Sequence, residues 1–201
     1  RFAGDTLPVT RTGMAVAIAE KLDTIAGIFA TGQKPTGTRD PFGLRRTALG
    51  LLRILVEDQE DLDLPAPLDE AVRLQPVQIK DTIALAAELF GFIMDRSRAW
   101  YLEGLAPGLA AGVITADMFE AVRSRQTGSL VDFHARLLGV CAFTRLPEAE
   151  SLAAANKRVA NLLRQVAAKG ESYTRTESDK LKEPAERELY VRYSMAKDTT
   201  F

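Results

Sequence analysis

Apolar residues in this chain recur at intervals of three and four and form no convincing alternating run, a pattern that suits helices and excludes a sheet protein. Within residues 14–31, Ile18, Leu22, Ile25 and Phe29 step by four, three and four, with Glu20, Lys21 and Asp23 off the stripe. The spacing predicts a helix stopped at Gly32. The stretch Gly32-Gln33-Lys34-Pro35-Thr36-Gly37-Thr38-Arg39 is dense in turn formers and marks the first boundary. Asp40-Pro41 then offers an N-cap and a preset φ for a helix over 41–56. That helix places Phe42, Leu49, Leu52 and Val56 on its apolar side and Arg45, Arg46 and Arg53 on its other faces.

An acidic, proline-bearing linker follows over 57–67. Pro67 can open a short helix reaching Arg73, and Ile79, Ile83, Ala86, Phe90 and Ile93 mark a long helix running to Leu102 and ending at Gly104. After the turn Ala106-Pro107-Gly108, residues 115–125 carry Phe119 and Val122 on a short helix. Ser129-Leu130-Val131-Asp132 approximates a capping box before a helix using Phe133, Leu137 and Cys141. Pro147 starts another helix, with the stripe Leu152, Ala155, Val159, Leu162 and Val166 and a stop at Gly170. Residues 170–182, holding Tyr173 and Arg175, read as a polar loop, and a last helix starts near Pro184 with Leu189 and Tyr193. The expected fold class is all-α, a multi-helix bundle of roughly eight helices.

Composition narrows the function. Lys plus Arg number 26 against 27 for Asp plus Glu, so no global field draws the molecule to a polyanion and any such site must be a local patch. The single cysteine, Cys141, lies in an apolar run and reads as a buried thiol in a reducing compartment, which makes the cytoplasm the expected location. Glu88, Asp95, Pro107 and Thr115 interrupt the longest apolar segments, so no membrane span is expected. The opening Arg1-Phe2-Ala3-Gly4-Asp5 has neither an initiating Met nor a signal pattern, and reads as a piece of a longer chain.

Several chemistries lack their residues. The one histidine, His134, sits beside Phe133 without ligands at metal spacing, and with one His and one Cys no nucleophilic triad can be assembled. Residues 32–37 have the wrong spacing and an internal proline for a phosphate-binding glycine loop. Asp58, Glu60, Asp61 and Asp63 fall in the linker, where charge runs are usually solvated. No catalytic or metal site is expected, and no cofactor.

Four words in the sequence are distinctive: Glu20-Lys21-Leu22-Asp23-Thr24, then Lys34-Pro35-Thr36-Gly37 followed by Asp40-Pro41-Phe42-Gly43-Leu44-Arg45-Arg46, and finally Ala153-Ala154-Ala155-Asn156-Lys157-Arg158-Val159-Ala160-Asn161. In that order they resemble the C-terminal part of the β subunit of bacterial heterotetrameric glycyl-tRNA synthetase, from the Arg1-Phe2 start to Glu183-Pro184. The resemblance implies residues 1–35 as the end of an HD-like helical domain and 36–201 as a DALR-type anticodon-binding helical domain, incomplete here. Asp40-Pro41-Phe42-Gly43-Leu44-Arg45 looks like a relaxed DALR motif with two extra residues. It further implies tRNA-Gly and the synthetase α subunit of an α2β2 enzyme as partners, with neither DNA nor membrane, and ATP consumed in the α subunit. Two departures from the family weigh against phosphohydrolase chemistry: Glu20 stands where the family usually has Asp, and His134 is followed by Ala135 rather than Asp.

For the helix around Asn156, residue pattern and resemblance converge. Asn156, Lys157, Asn161 and Arg164 lie off the apolar stripe, with Arg158 at its margin, forming a polar strip of cations and amides suited to phosphates and base edges of a single-stranded loop. The matching helix of the related domain faces the anticodon loop. The same residues would also suit a solvated face or pairing with acidic neighbours. Arg45, Arg46 and Arg53 form a second basic patch, able to track a backbone or to pair with the acidic linker. Arg96, Arg98, Trp100 and Tyr101 mix cations with aromatics as base-stacking sites do, although Trp100 equally suits a core. The alternative function is a structural, subunit-docking helical module without anticodon readout.

Overall fold

The computed structural model describes residues 6–170 and 178–199. Among them are eight α-helices and no strand. The chain divides into two compact units, Arg1–Leu146 and Pro147–Phe201.

The first unit holds α1 (Arg11–Ala30), α2 (Leu44–Glu57), α3 (Pro65–Arg73), α4 (Thr82–Leu102), α5 (Ala116–Arg123) and α6 (Leu130–Thr144). α1, α2, α3 and α4 pack on one another, α5 joins α4 and α6, and α6 closes back on α2. The α1 stripe behaves as its spacing predicts: Leu22, Ile25 and Phe29 are buried, with Ile18 packed at the margin. Leu44, Leu51, Leu52 and Leu55 of α2 and Phe119, Phe133 and Leu137 of α5 and α6 complete the core. Ser129 caps α6 as expected, its hydroxyl accepting the Asp132 N–H at 3.1 Å.

α2 begins at Leu44, not Pro41. The Asp40 carboxylate reaches forward to the Leu44 and Arg45 N–H groups, and Gly43 turns into the left-handed region at φ 66°, so Pro41-Phe42 form a turn ahead of the helix. Phe42 is consequently exposed rather than on the apolar face. α3 starts two residues earlier than expected, at Pro65. On α4 the buried line is Leu85, Leu89, Ile93 and Trp100; Ile79 precedes the helix and Ile83 is 77% exposed. This helix touches α1, α2, α3 and α5, so its apolar arc is wide: Ile93 of the expected stripe is in the core and Ile79, Ala86 and Phe90 pack against it, while Ile83 falls outside.

The acidic linker is not simply solvated. Leu64 is fully buried and donates its N–H to the Gly128 carbonyl at 3.1 Å, while Asp61 accepts the Ser129 hydroxyl. Asp63 and Ser129 form an isolated antiparallel bridge. A Cβ on Gly128 would collide with the Asp63 carboxylate, so the glycine permits this close approach.

The second unit contains α7 (Ala149–Ala168) and α8 (Pro184–Thr199). α7 starts two residues after Pro147 and ends at Ala168, with Lys169 as its C-cap and Gly170 left-handed at φ 75°. Its apolar stripe is turned to solvent: Leu152, Val159 and Leu162 are 53–54% exposed. Leu189 and Tyr193 of α8 are exposed as well. The expected loop around Tyr173 and Arg175 falls outside the described residues over 171–177.

Candidate nucleic-acid interface

The regular twist of α7 gathers the strip. Lys157, Asn161 and Arg164 follow one another at spacings of four and three, with Asn156 and Arg158 flanking Lys157, and all five are exposed. Arg164 Nη2 donates to Asn161 Oδ1 at 2.8 Å, which holds both side chains over one turn. Lys157 and Arg158 make no ion pair among the described residues, so the pairing with acidic neighbours is not realised there. Two unneutralised cations beside an amide–guanidinium pair can contact phosphate oxygens while the amide keeps hydrogen-bonding capacity for base edges.

The three α2 arginines take different roles. Arg45 turns back, its Nη2 donating to the Gly37 carbonyl at 2.7 Å. That carbonyl belongs to a tight hairpin in which Thr36 and Arg39 exchange backbone hydrogen bonds of 3.0 and 2.8 Å. Arg53 forms a two-pronged pair with Glu57, Nε to Oε1 at 2.8 Å and Nη2 to Oε2 at 3.3 Å. Arg46 is exposed and makes no ion pair among the described residues, leaving it as the α2 cation open to a polyanion.

The mixed aromatic and basic residues of α4 do not form a stacking surface. Trp100 and Tyr101 are each 1% exposed, and Arg98 pairs with Glu120 of α5 at 3.4 Å. Tyr101 centres an aromatic cluster with Trp100, Phe119 and Phe133, and its hydroxyl lies 3.2 Å from His134 Nδ1 with the two rings stacked. Burial pushes the His134 imidazole below its ordinary range and raises the Tyr101 phenol well above its own. Glu20 is exposed beside Lys21 Nζ at 3.2 Å. Among the described residues no three His, Cys, Asp or Glu side chains converge as metal ligands, and no helix is long and apolar enough to cross a membrane.

Sequence reading missed a cavity of about 350 Å³ in the first unit, between α4, α5 and the residues leading into α6. Phe90, Gly91, Met94 and Phe133 line it together with Glu120, Arg123 and Gln126. The available signal was Gly91 inside an otherwise strong helical run, since glycine there weakens a helix unless its lack of a side chain serves a purpose.

Among the described residues, fold and site define an all-α chain with an exposed, cation- and amide-bearing helix. Residues 1–116 match the family model described as glycyl-tRNA synthetase beta subunit, and the chain belongs to that family. It is 44% identical over 194 residues to the glycine--tRNA ligase beta subunit of Xanthomonas campestris pv. campestris strain 8004, covering 94% of this chain and 26% of the relative. The beta subunit of Ectopseudomonas mendocina strain ymp is 45% identical over 196 residues, covering 98% of this chain and 27% of the relative. That of Pseudomonas putida KT2440 is 51% identical over 163 residues, 81% of this chain and 22% of the relative. The chain thus spans about a quarter of the length of the curated relatives it matches.

Proposed function

We propose that this chain is a tRNA-binding portion of a glycine--tRNA ligase β subunit, supporting ATP-dependent attachment of glycine to tRNA-Gly by an α2β2 enzyme. In this reading the α subunit activates glycine with ATP, and the residues here supply binding rather than bond making. Residues 1–35 close an HD-like domain and 36–201 belong to a DALR-type anticodon-binding domain. The enzyme works in the cytoplasm, in keeping with the buried free thiol of Cys141.

The observation that carries the reading is that Lys157 and Arg158 make no ion pair among the described residues and share an exposed helix with the Asn161–Arg164 pair. Asn156, Lys157, Arg158, Asn161 and Arg164 contact the anticodon loop, its phosphates through the cations and its base edges through the amides. Arg46 adds a phosphate contact, while Arg45 and Arg53 hold the surface behind it. The test is the double reversal Lys157→Glu/Arg158→Glu in the complete β subunit: tRNA-Gly affinity is expected to fall with the melting temperature unchanged, and retained affinity refutes the assignment.

A second reading has its own support. The stripe Leu152, Val159 and Leu162 on α7 is exposed, as a helix face that packs on another protein surface would be. Here α7 docks the α subunit and RNA contacts lie elsewhere in the β chain. Leu152→Ser/Val159→Ser would then break α–β association while leaving tRNA binding by the free β subunit intact.

A further inference from the structure

Charge is locally unbalanced in the first unit. In a chain with 26 cations against 27 acids, residues 34–46 hold Lys34, Arg39, Arg45 and Arg46 against a single acid, Asp40. That acid faces a helix end rather than a side-chain cation, since its two oxygens accept the Leu44 and Arg45 N–H groups at 2.8 and 2.9 Å. Two of the four cations are fasteners. Lys34 Nζ pairs with Glu88 of α4 at 2.6 Å, and Arg45 Nη2 donates to the Gly37 carbonyl at 2.7 Å. The hairpin Thr36–Arg39, closed on its own backbone, is thereby pinned to α4 on one side and to α2 on the other. A segment so fixed loses little further freedom when it binds a partner.

The fastening leaves Arg39, Phe42 and Arg46 outward. The Asp40 carbonyl accepts the Gly43 N–H at 3.1 Å, which closes a four-residue turn with Phe42 inside it, and the Gly43 carbonyl accepts the Arg46 N–H at 3.0 Å. The three residues therefore sit within two successive turns of hydrogen-bonded chain. Phe42 is 44% exposed, and Arg39 and Arg46 are exposed with no ion pair among the described residues. The other exposed aromatic among the described residues of this unit, Phe143, stands in a different field, followed within seven residues by one cation, Arg145, and two acids, Glu148 and Glu150. An aromatic ring between two uncommitted guanidinium groups matches the two repeating features of a single nucleic-acid strand, its phosphates and its base faces. An acidic protein surface would engage the cations and leave the ring unused.

We propose that the turn following the Thr36–Arg39 hairpin is a second RNA contact, in which Arg39 and Arg46 take backbone phosphates of a single strand and Phe42 stacks on one of its bases. The proposal rests on the RNA-binding reading, to which it adds Arg39 and Phe42 and a contact in the first unit built without any residue of α7. Lys34 and Arg45 are its positioning residues, holding the hairpin while the outward side chains meet the RNA.

The experiment measures binding of a tRNA-Gly transcript across a salt series, together with thermal unfolding, for the complete β subunit and four variants. Arg39→Glu/Arg46→Glu removes the phosphate contacts, and Arg11→Glu/Arg125→Glu makes the same charge change at two exposed arginines elsewhere in the unit. Phe42→Leu keeps an apolar side chain without a ring, and Phe42→Trp keeps a ring. Relative to the Arg11/Arg125 control, Arg39→Glu/Arg46→Glu is expected to weaken binding by about tenfold or more and to flatten the log–log salt slope by roughly 1.4, as two single-strand phosphate contacts are lost. Phe42→Leu is expected to weaken binding by about fivefold or more with the slope unchanged, and Phe42→Trp to bind as wild type does. Melting temperatures should stay where they are, since all these side chains are exposed. A reversal no more harmful than the control, or wild-type affinity in Phe42→Leu, or a Phe42→Trp protein as weak as Phe42→Leu, overturns the proposal. Its failure is distinct from that of the α7 assignment: if Lys157→Glu/Arg158→Glu abolishes binding while the Arg39, Phe42 and Arg46 variants bind as wild type, this contact fails and the α7 assignment stands, and the converse result keeps this contact alone. A wild-type β subunit with no affinity for tRNA-Gly refutes the RNA-binding reading and this contact with it.

Discussion

The Asp40 carboxylate accepts the backbone N–H of Arg45 at 2.9 Å, and that of Leu44 at 2.8 Å, while the Arg45 guanidinium returns to the Gly37 carbonyl at 2.7 Å. The first and last residues of the Asp-Pro-Phe-Gly-Leu-Arg word therefore tie the start of α2 to the hairpin before it. The acidic residue satisfies two of the four N–H groups that a helix leaves open at its start, and the arginine fixes the approaching chain. In this chain Asp40 and Arg45 of the word build the scaffold at the start of α2.

Asp40→Ala should accordingly destabilise the chain by about 1 kcal/mol, the usual cost of a lost N-cap. For a protein of this size that corresponds to a melting temperature lower by about 2–4 °C. Asp40→Asn keeps an accepting oxygen and should lose less. Thermal unfolding followed by circular dichroism measures both, and an Asp40→Ala protein as stable as wild type would refute the capping role.

Two glycines should respond to alanine with opposite signs. Gly104 ends α4 at φ 70°, and a Cβ there would collide with the backbone of Ala110 and Ala111, which cannot step aside without reshaping the turn. Gly104→Ala should cost more than about 2 kcal/mol, combining left-handed strain with a backbone clash. Gly91→Ala should stabilise by roughly 0.5–1 kcal/mol, the helix-propensity gain at an unobstructed site. Urea midpoints of the two variants on either side of wild type are the expected outcome.

His134 makes stability depend on pH. Burial lowers its folded pKa from the ordinary value near 6.5, so the unfolded chain takes up a proton that the folded chain resists. The contribution is fully present above the unfolded value and is lost as pH falls below about 6.5 toward the depressed folded value. Denaturant midpoints should drop between pH 7 and pH 5.5 in wild type and drop less in His134→Gln. Equal pH dependence in the two proteins would contradict the assignment.

The legible parts of this fold were those where one local pattern had one use. Ile25 and Phe29 on α1, the Ser129 cap, and Phe133 and Leu137 on α6 all fall where their spacing puts them. Of the stripe expected for α4, Ile93 is buried and Ile79, Ala86 and Phe90 pack against the core, while Ile83 is exposed, because several helices bury the sides of α4 and a stripe cannot say which edge of a wide apolar arc lies deepest. The start of α2 was displaced because Asp40 caps at longer range, across a turn closed by left-handed Gly43. The acidic linker looked solvated because its anchors, Gly128 and Ser129, lie far along the chain, and no local pattern reports such a pair. On the candidate interface, the positions of Asn156, Lys157 and Arg158 follow from helical geometry alone. That Arg53 would be held by Glu57 while Arg46 stays open needed the side-chain arrangement itself.

The measurement that bears most directly on the central claim is binding of the complete β subunit to tRNA-Gly, to tRNA-Gly with an altered anticodon, and to an unrelated tRNA across a salt series. Selective binding to the first is expected, with affinity falling as salt rises. The double reversal Lys157→Glu/Arg158→Glu should flatten the log–log slope by roughly 1.4–1.8, as two phosphate contacts are lost. Equal affinity for all three tRNAs, or a slope untouched by the reversal, would contradict anticodon binding by this helix.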